Sequence, residues 1–535
     1  MLILSHGSSM SCRVGAYVSE HPLDPVFHPR AVAVVGVRSN PQAGTMGSFY
    51  DSLLEADFPA IGGLYPVNPK VDEINGVRCY SSLLDTPDPV DHVISQVPAA
   101  VVPELVDQCV AKKVRSIHFF TAGFSETGDE EMARVERSMI EKLTRAGIRA
   151  IGPNCMGLYV PSSRLAFMSG FPTESGNVFL LSQSGANAGE IIHGLVSRGI
   201  RFSKAVSYGN GADLRAHDFL DYAADDPESE VVAAYIEGVR DGRAFFTALK
   251  RCALVKPVIV LKGGRTQSGS HAAHSHTGSL AGSIEIFDAA CRQAGAVRAE
   301  TMDELNDLVV AASTSTRSVN GRGVALFGGG GGGFAVLSAD AIDREGLTVP
   351  KLPQSAIDEM REYIPVAGSS VNNPIDAFPA EEHLEDMLRL VATAEGIDMM
   401  FMSPMTGWRR PPPGSKTTQS ERNDDSKENA DSPPDPGADP EAEAKEMTDK
   451  AARQMRKLQD DTGTPVIGVL RSSRMARMMG QRRGAISEAA YRQGIGMYPS
   501  VTRAARTVAQ VLDWKEYRKG LPDIFSADSE GSLKG

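Results

Sequence analysis

Short apolar runs alternate with longer stretches of helical periodicity along almost the whole chain. Ala31-Val32-Ala33-Val34-Val35, Gly63-Leu64-Tyr65-Pro66-Val67, His92-Val93-Ile94-Ser95, Ser116-Ile117-His118-Phe119-Phe120 and Arg149-Ala150-Ile151 read as strands. Helical patterns over 102–112 and 129–146 lie between them. This alternation is the signature of parallel α/β domains. It forms a first block over residues 22–160. A second block, 170–316, opens at Gly176-Asn177-Val178-Phe179-Leu180-Leu181. It continues through Val231-Val232-Ala233-Ala234-Tyr235 and Val258-Ile259-Val260 to a helix over 302–313. A third, 320–520, opens at Gly323-Val324-Ala325-Leu326-Phe327 and resumes at Thr464-Pro465-Val466-Ile467-Gly468-Val469.

The third block is interrupted. From Arg409 to Glu446 large apolar side chains almost vanish, and Pro, Asp, Glu, Ser and Lys dominate. Such a segment cannot bury enough surface to offset its ordering entropy, so 409–446 is expected to be a disordered insert, most simply a solvated loop. The residues from 526 onward read as a frayed tail. The 535 residues, 41% of them hydrophobic, suffice for three ordinary cores. A net charge of −12 argues against nucleic acid or an anionic membrane as partner. No apolar run approaches the ~18 residues of a membrane helix. The start, Met1-Leu2-Ile3-Leu4-Ser5-His6, lacks the make-up of a signal peptide. Cys12, Cys79, Cys109, Cys155, Cys252 and Cys291 stand apart with no CxxC pair. Free thiols in a reducing cytoplasm are the expectation, with no zinc site.

The chemistry gathers at the ends of the expected strands. Ser275-His276-Thr277-Gly278-Ser279-Leu280-Ala281-Gly282 follows the run Pro257-Val258-Ile259-Val260-Leu261 and the turn Lys262-Gly263-Gly264. Neutral imidazole is a good nucleophile near pH 7, and the small neighbours of His276 leave room for a phosphoryl group and offer it N–H donors. His271, His274 and His276 cluster, but no Cys or carboxylate stands among them, so no metal site is expected. Ser182-Gln183-Ser184-Gly185-Ala186 opens a helical pattern: either an anion site at a helix N-terminus or a plain serine cap. Gly328-Gly329-Gly330-Gly331-Gly332-Gly333 repeats the device, with more glycine than a turn needs. Glu237 ends an apolar run, where a carboxylate could fix an imidazole tautomer. Gly36-Val37-Arg38-Ser39 closes the first strand where doubly wound sheets bind nucleotides, without the GxGxxG spacing of a nicotinamide site. Lys70 could meet a phosphate or simply be solvated. Val97-Pro98 and Thr121-Ala122 close the next strands, and the cleft so outlined fits a nucleotide-bearing thiol. In Gly152-Pro153-Asn154-Cys155-Met156-Gly157, Asn154 can offer an amide to a carboxylate, and Cys155 reads as a small buried cysteine rather than a nucleophile.

These motifs, in this order, resemble the NDP-forming acyl-CoA synthetases, the ADP-forming acetate–CoA ligase group related to succinyl-CoA synthetase. The carriers are Val34-Val35-Gly36, Pro66-Val67-Asn68-Pro69-Lys70, Gly152-Pro153-Asn154-Cys155-Met156-Gly157, Ser182-Gln183-Ser184-Gly185, Glu237-Gly238 and Ser275-His276-Thr277-Gly278. The similarity covers residues 22–520 apart from the insert. It implies a Rossmann-like CoA-binding domain followed by two flavodoxin-like ligase domains. It implies phosphorylation of His276, with Glu237 in support. The phosphate would meet the helix starts at Ser182, Ser184, Gly185 and Ala186 and at Gly330, Gly331, Gly332 and Gly333. CoA would lie along Gly36, Val37, Arg38, Ser39, Lys70, Val97, Pro98, Thr121 and Ala122, and the acyl carboxylate against Asn154, Cys155 and Met156. No P-loop and no ATP-grasp block is found, so the resemblance is to the α subunit of two-subunit members. ATP and Mg2+ would come with an ATP-grasp β subunit in a cytoplasmic hetero-oligomer acting on a small carboxylic acid. The alternative is a non-catalytic CoA- or acyl-CoA-binding regulatory protein.

Overall fold

A computed structural model of the chain describes residues 21–38, 49–74, 76–269, 283–328, 332–366, 369–377, 379–404, 440–470, 482–521 and 524. Unbroken β-branched and apolar runs become strands buried on both faces, as parallel sheets covered by helices require. The first sheet holds β1 (Ala31–Val35), β2 (Gly63–Val67), β3 (His92–Ser95), β4 (Ser116–Phe119) and β5 (Arg149–Ile151), ordered β2-β1-β3-β4-β5. All its neighbours are parallel, with Val35 beside both Val67 and Ser95. Helices α1 (Val102–Lys112) and α2 (Glu130–Arg145) connect its later strands. Asp129 caps α2, accepting from Glu131 N at 2.7 Å, and acidic and basic residues sit at the macrodipole ends that favour them.

The second sheet repeats the winding. Its strands are β6 (Gly157–Tyr159), β7 (Val178–Ser182), β8 (Phe202–Ser207), β9 (Val231–Ile236), β10 (Val258–Lys262) and β11 (Val297–Ala299), ordered β11-β10-β9-β7-β8-β6. Only β6 is antiparallel, lying at the edge beside β8. Residues 157–160 close the first block in sequence, and pairing with β8 through Ser207↔Gly157 adds this short strand to the edge of the second sheet. Its helices are α3 (Gly185–Val196), α4 (Ala216–Asp225), α5 (Gly242–Val255), α6 (Ile284–Ala294) and α7 (Met302–Ala312).

The third sheet is parallel: β12 (Val324–Phe327), β13 (Met399–Met402), β14 (Val466–Val469) and β15 (Met497–Tyr498), in that order. Two isolated parallel bridges, Gly323↔Thr348 and Phe327↔Ile375, adjoin β12. Helices α8 (Gly332–Arg344), α9 (Pro440–Thr462), α10 (Arg482–Arg492) and α11 (Val501–Tyr517) belong to it. The expected insert ran to residue 446, but α9 takes in 440–446. Its stretch of Ala, Glu and Lys has high helix propensity, and Ala451, Ala452, Met455 and Leu458 give it a buried face. Cys79, Cys109, Cys155, Cys252 and Cys291 are buried free thiols. Among the described residues no helix is long and apolar enough to cross a membrane.

Helix α7 joins the second and third sheets. From Glu304 to Ala312 it is buried, so its polar side chains need partners. Asp307 accepts from Arg198 Nη1 at 2.7 Å, just past α3, and from Arg503 Nε at 2.6 Å, in α11. Arg198 also donates to Met497 O at 2.8 Å. Asp307→Ala strands two guanidinium groups and should cost about 3–5 kcal/mol. Asp513→Ala, which removes an exposed pair with Arg322, should cost less than about 1 kcal/mol. Denaturant midpoints of the two variants check this; similar midpoints would refute the assignment.

Candidate functional site

The first two sheets wind the same way, so each has a switch point, between β1 and β3 and between β7 and β9, where successive crossovers leave on opposite faces. Strand ends and helix starts there are exposed to a crevice. In the first sheet, Gly36 (φ +92°) follows β1 with its N–H on Val67 O at 2.9 Å. A Cβ at Gly36 would lie 3.0–3.1 Å from Gln96 and Val97, so only glycine lets β1 and β3 end this close together. Asn68 donates to Val37 O at 2.7 Å and accepts from Lys70 N at 2.9 Å. Thr121 donates to Val97 O at 2.7 Å. Gly36, Val37, Arg38, Lys70, Val97, Pro98, Thr121 and Ala122, drawn from four strand ends, therefore share one rim of one sheet. Arg38, Lys70, Pro98 and Ala122 are exposed on it. Ser39 lies outside the described residues.

The turn after β5 bridges the first and second sheets. Asn154 adopts φ +58° with its N–H on Thr121 O at 3.0 Å. Asn210 N donates to Pro153 O at 3.0 Å, and Met156 N to Ser207 Oγ at 3.1 Å. His118 Nε2 donates to Cys155 O at 3.0 Å, and burial lowers this imidazole to about 4, which keeps it neutral. Cys155 is 4% exposed, and burial pushes its thiol far above the range where a thiolate forms. Its place is structural, with Sγ donating to Phe119 O at 3.5 Å. Met156 packs on the next motif: a Cβ at Gly185 would meet Met156 Cγ at 2.5 Å.

At the second switch point β7 runs into Ser182, Gln183 and Ser184. Ser184 caps α3, accepting from Asn187 N at 3.4 Å, and Ser182 Oγ donates to Ser184 O at 2.6 Å. Ser184 Oγ is thus a helix cap and Ser182 Oγ is held within the turn, while the first N–H groups of α3, at Gly185 and Ala186, are left over at the helix start. Gln183 crosses the switch: its Oε1 accepts from Glu237 N at 2.8 Å and Gly238 N at 2.9 Å. Glu237 is 6% exposed, and its Oε2 is buried without a hydrogen-bond partner among the described residues. Lys262, at the end of β10, donates to Glu237 O at 2.7 Å and to Gly263 O, and burial lowers its pKa. His271, His274 and His276 lie outside the described residues, as do Gly330 and Gly331. Gly332 and Gly333 open α8, and a Cβ at either would meet nothing within 4 Å. Packing does not require glycine there.

Sequence reasoning missed Gln183, Lys262 and the loop Tyr208-Gly209-Asn210-Gly211. Two glycines flanking an Asn after an apolar run were the available signal for the loop. Asn210 Nδ2 donates to Glu126 Oε2 at 2.6 Å and Glu136 Oε2 at 3.2 Å, both from the first domain. Tyr208 and Asn210 line a small cleft, open to solvent, with Gln183 and Gly238. Burial, then the charge of Glu237, raises the Tyr208 phenol above its ordinary range.

Comparison with known proteins agrees with this architecture. Residues 30–161 match the CoA binding domain and residues 175–312 the succinyl-CoA ligase like flavodoxin domain. Such a pairing defines a subunit of a CoA ligase. The α subunit of acetate–CoA ligase (ADP-forming) II from Pyrococcus furiosus is 40% identical over 367 residues, covering 69% of this chain and 78% of that one. Acetate–CoA ligase (ADP-forming) I of Archaeoglobus fulgidus is 38% identical over 382 residues, 71% of this chain; the chain spans only 54% of that longer relative. The dinucleotide-forming acetyl-coenzyme A synthetase 1 of Ca. Korarchaeum cryptofilum, solved with phosphate and ADP, superposes with a TM-score of 0.69. It is 28% identical, over 93% of this chain and 98% of that one. The chain belongs to the ADP-forming acetate–CoA ligase family, the NDP-forming acyl-CoA synthetases, and its function is that of an α subunit of such a ligase.

Gly209 is the tightest point of the joint. It sits at φ +52°, and a Cβ there would lie 2.2 Å from Asn154 O and 2.3 Å from Pro153 O. Gly209→Ala should therefore destabilise the chain by about 1–3 kcal/mol through overpacking of backbone. Gly332→Ala, in open space at a helix start, should leave stability within about 1 kcal/mol. Thermal midpoints of both variants decide the matter; an unshifted Gly209→Ala would contradict the packing described.

Proposed function

We propose that this α subunit makes acyl-CoA from a small carboxylic acid, CoA and ATP, through phosphohistidine and acyl phosphate, with an ATP-grasp β subunit supplying the nucleotide and Mg2+. His276 takes the γ-phosphoryl group and ADP leaves. A carboxylate oxygen then takes the group from the imidazole, breaking P–N and giving an acyl phosphate. The CoA thiol, losing its proton, attacks the acyl carbon, and inorganic phosphate departs. Little covalent work falls to the protein; positioning and fixed dipoles do most of it.

One observation carries the reading. Glu237 Oε2 is a buried acceptor without a donor among the described residues, beside the open start of α3. An imidazole N–H supplied by His276 would satisfy it and leave the other ring nitrogen nucleophilic. The first N–H groups of α3 would face the phosphoryl oxygens, with the open start of α8 as a second cradle. CoA is assigned to the rim from Gly36 to Ala122, where exposed Arg38 and Lys70 suit its phosphates. Asn154 is assigned to the acyl carboxylate. Gln183 and Lys262 hold the Glu237 backbone from two sides and act as positioning residues.

With partner, Mg2+ and γ-labelled ATP, the wild-type chain should take up acid-labile, base-stable phosphate, and His276→Ala none. Glu237→Gln should label about 10²-fold more slowly. Equal labelling of His276→Ala would overturn the proposal. CoA binding with no labelling of the wild-type pair would favour the regulatory alternative.

A further inference from the structure

The reaction proposed above leaves two buried groups beside Glu237 unused. Tyr208 Oη and Asn210 Oδ1 have no hydrogen-bond partner among the described residues, though the side chains are 3% and 4% exposed. Each carries the desolvation penalty of an unmade bond. Both residues line the cleft at the ends of β7, β8 and β9, whose wall also includes Gln183, Gly238 and Phe245. The cleft adjoins the 153–156 turn, since Gly209 packs on the carbonyls of Pro153 and Asn154.

The orientation of Asn210 is fixed from behind. Its Nδ2 faces the carboxylates of Glu126 and Glu136, so the amide oxygen alone is left over. That oxygen needs a donor. A phenol can give its proton to the same ligand atom that donates to Asn210. A hydroxyl does both, donating once and accepting once. A second carboxylate does not suit these two atoms: Arg215 and Arg240 also line the cleft and could meet its charge, but it has no proton for Asn210 Oδ1. A plain alkyl chain would bury both protein groups unpaired.

We propose that this cleft is the acyl-chain pocket and that the acid is a short hydroxycarboxylic acid, its hydroxyl donating to Asn210 Oδ1 and accepting from Tyr208 Oη. This rests on the ligase reading, which places the reacting carboxylate beside Asn154. A site built to bond a substrate hydroxyl rejects the analogue lacking it far more strongly than an apolar pocket rejects a changed methylene.

The test is the rate of CoA-thioester formation by the chain with its ATP-grasp partner, ATP and Mg2+, for butyrate and for 2-, 3- and 4-hydroxybutyrate. At least one hydroxy acid should exceed butyrate in kcat/KM by about 10²-fold. In Tyr208→Phe that ratio should shrink about tenfold. Butyrate matching all three hydroxy acids, or a ratio untouched by Tyr208→Phe, would overturn the inference. Phosphate labelling of the same preparations separates the failures. Labelled protein that prefers butyrate sinks the hydroxyl pocket alone, whereas a wild-type chain that never labels sinks the ligase mechanism and the pocket with it.

Discussion

The winding of a parallel sheet cannot reverse without opening a gap, and this chain reverses in each of its first two sheets. In both, the first crossover leaves over one face and the second over the other. The ends of β1 and β3, and of β7 and β9, then have no helix between them. Backbone N–H groups that a helix or strand would otherwise satisfy are left facing a crevice. Gly36 at the first gap lets neighbouring strand ends approach, as Gly328, φ +85°, does against Ser403 at the ends of β12 and β13. At the second gap a side chain does the joining, as Gln183 ties β7 to the residues after β9. The candidate chemistry follows this geometry, since every described site residue lies at a strand end, at a helix start or on the turn linking the two gaps.

The second sheet is the centre to which the other two are fixed. On one side, the 153–156 turn and the 207–210 loop share backbone hydrogen bonds, and Asn210 is held by two carboxylates of the first domain. On the other, α7 is buried between helices of both sheets, and Asp307 joins Arg198 to Arg503. Trp514 Nε1 adds a bond to Gly295 O at 2.8 Å. The rim proposed for CoA and the strand end that carries Glu237 are thus set by buried, directional contacts rather than by a linker. Catalysis by positioning needs such rigidity.

Much of this was legible in the residues. The strands 31–35, 63–67 and 92–95 and the helix 102–112 fall where unbroken apolar runs and helical periodicity place them, because burial on both faces leaves little choice of period. The ends of those strands carried the motifs. What stayed hidden depended on neighbours distant in sequence. Gly157–Tyr159 is too short to declare its sheet, and only pairing with β8 assigns it. Lys262 reads as a polar strand end, yet it is 4% exposed and spends its protons on carbonyls. Gln183 looks like filler between two serines until Glu237 is seen beside it. The start of α9 misled for another reason, since its Glu, Lys and Ala are common both to solvated segments and to good helices.

The second sheet pairs a buried charge at one end and gathers unmet polar atoms at the other. Toward the N-terminal ends of β8 and β9, Lys204 is fully buried, yet its ammonium meets Asp226 at 3.0 Å and Glu228 at 2.5 Å. Ser203 and Ser229 share a hydrogen bond of 2.6 Å in the same cluster. At the C-terminal ends of the same strands, Tyr208, Asn210 and Glu237 each keep a buried atom without a partner among the described residues. Each unmet atom costs about 1–3 kcal/mol, and a mutation to an apolar residue would recover much of it. The satisfied cluster shows that this sheet can pair buried charge when stability alone is at stake. Single buried atoms without partners occur elsewhere among the described residues, at Asn177 and Asn306 for example; what distinguishes these three is that they gather at one set of strand ends, as groups set out for a ligand do.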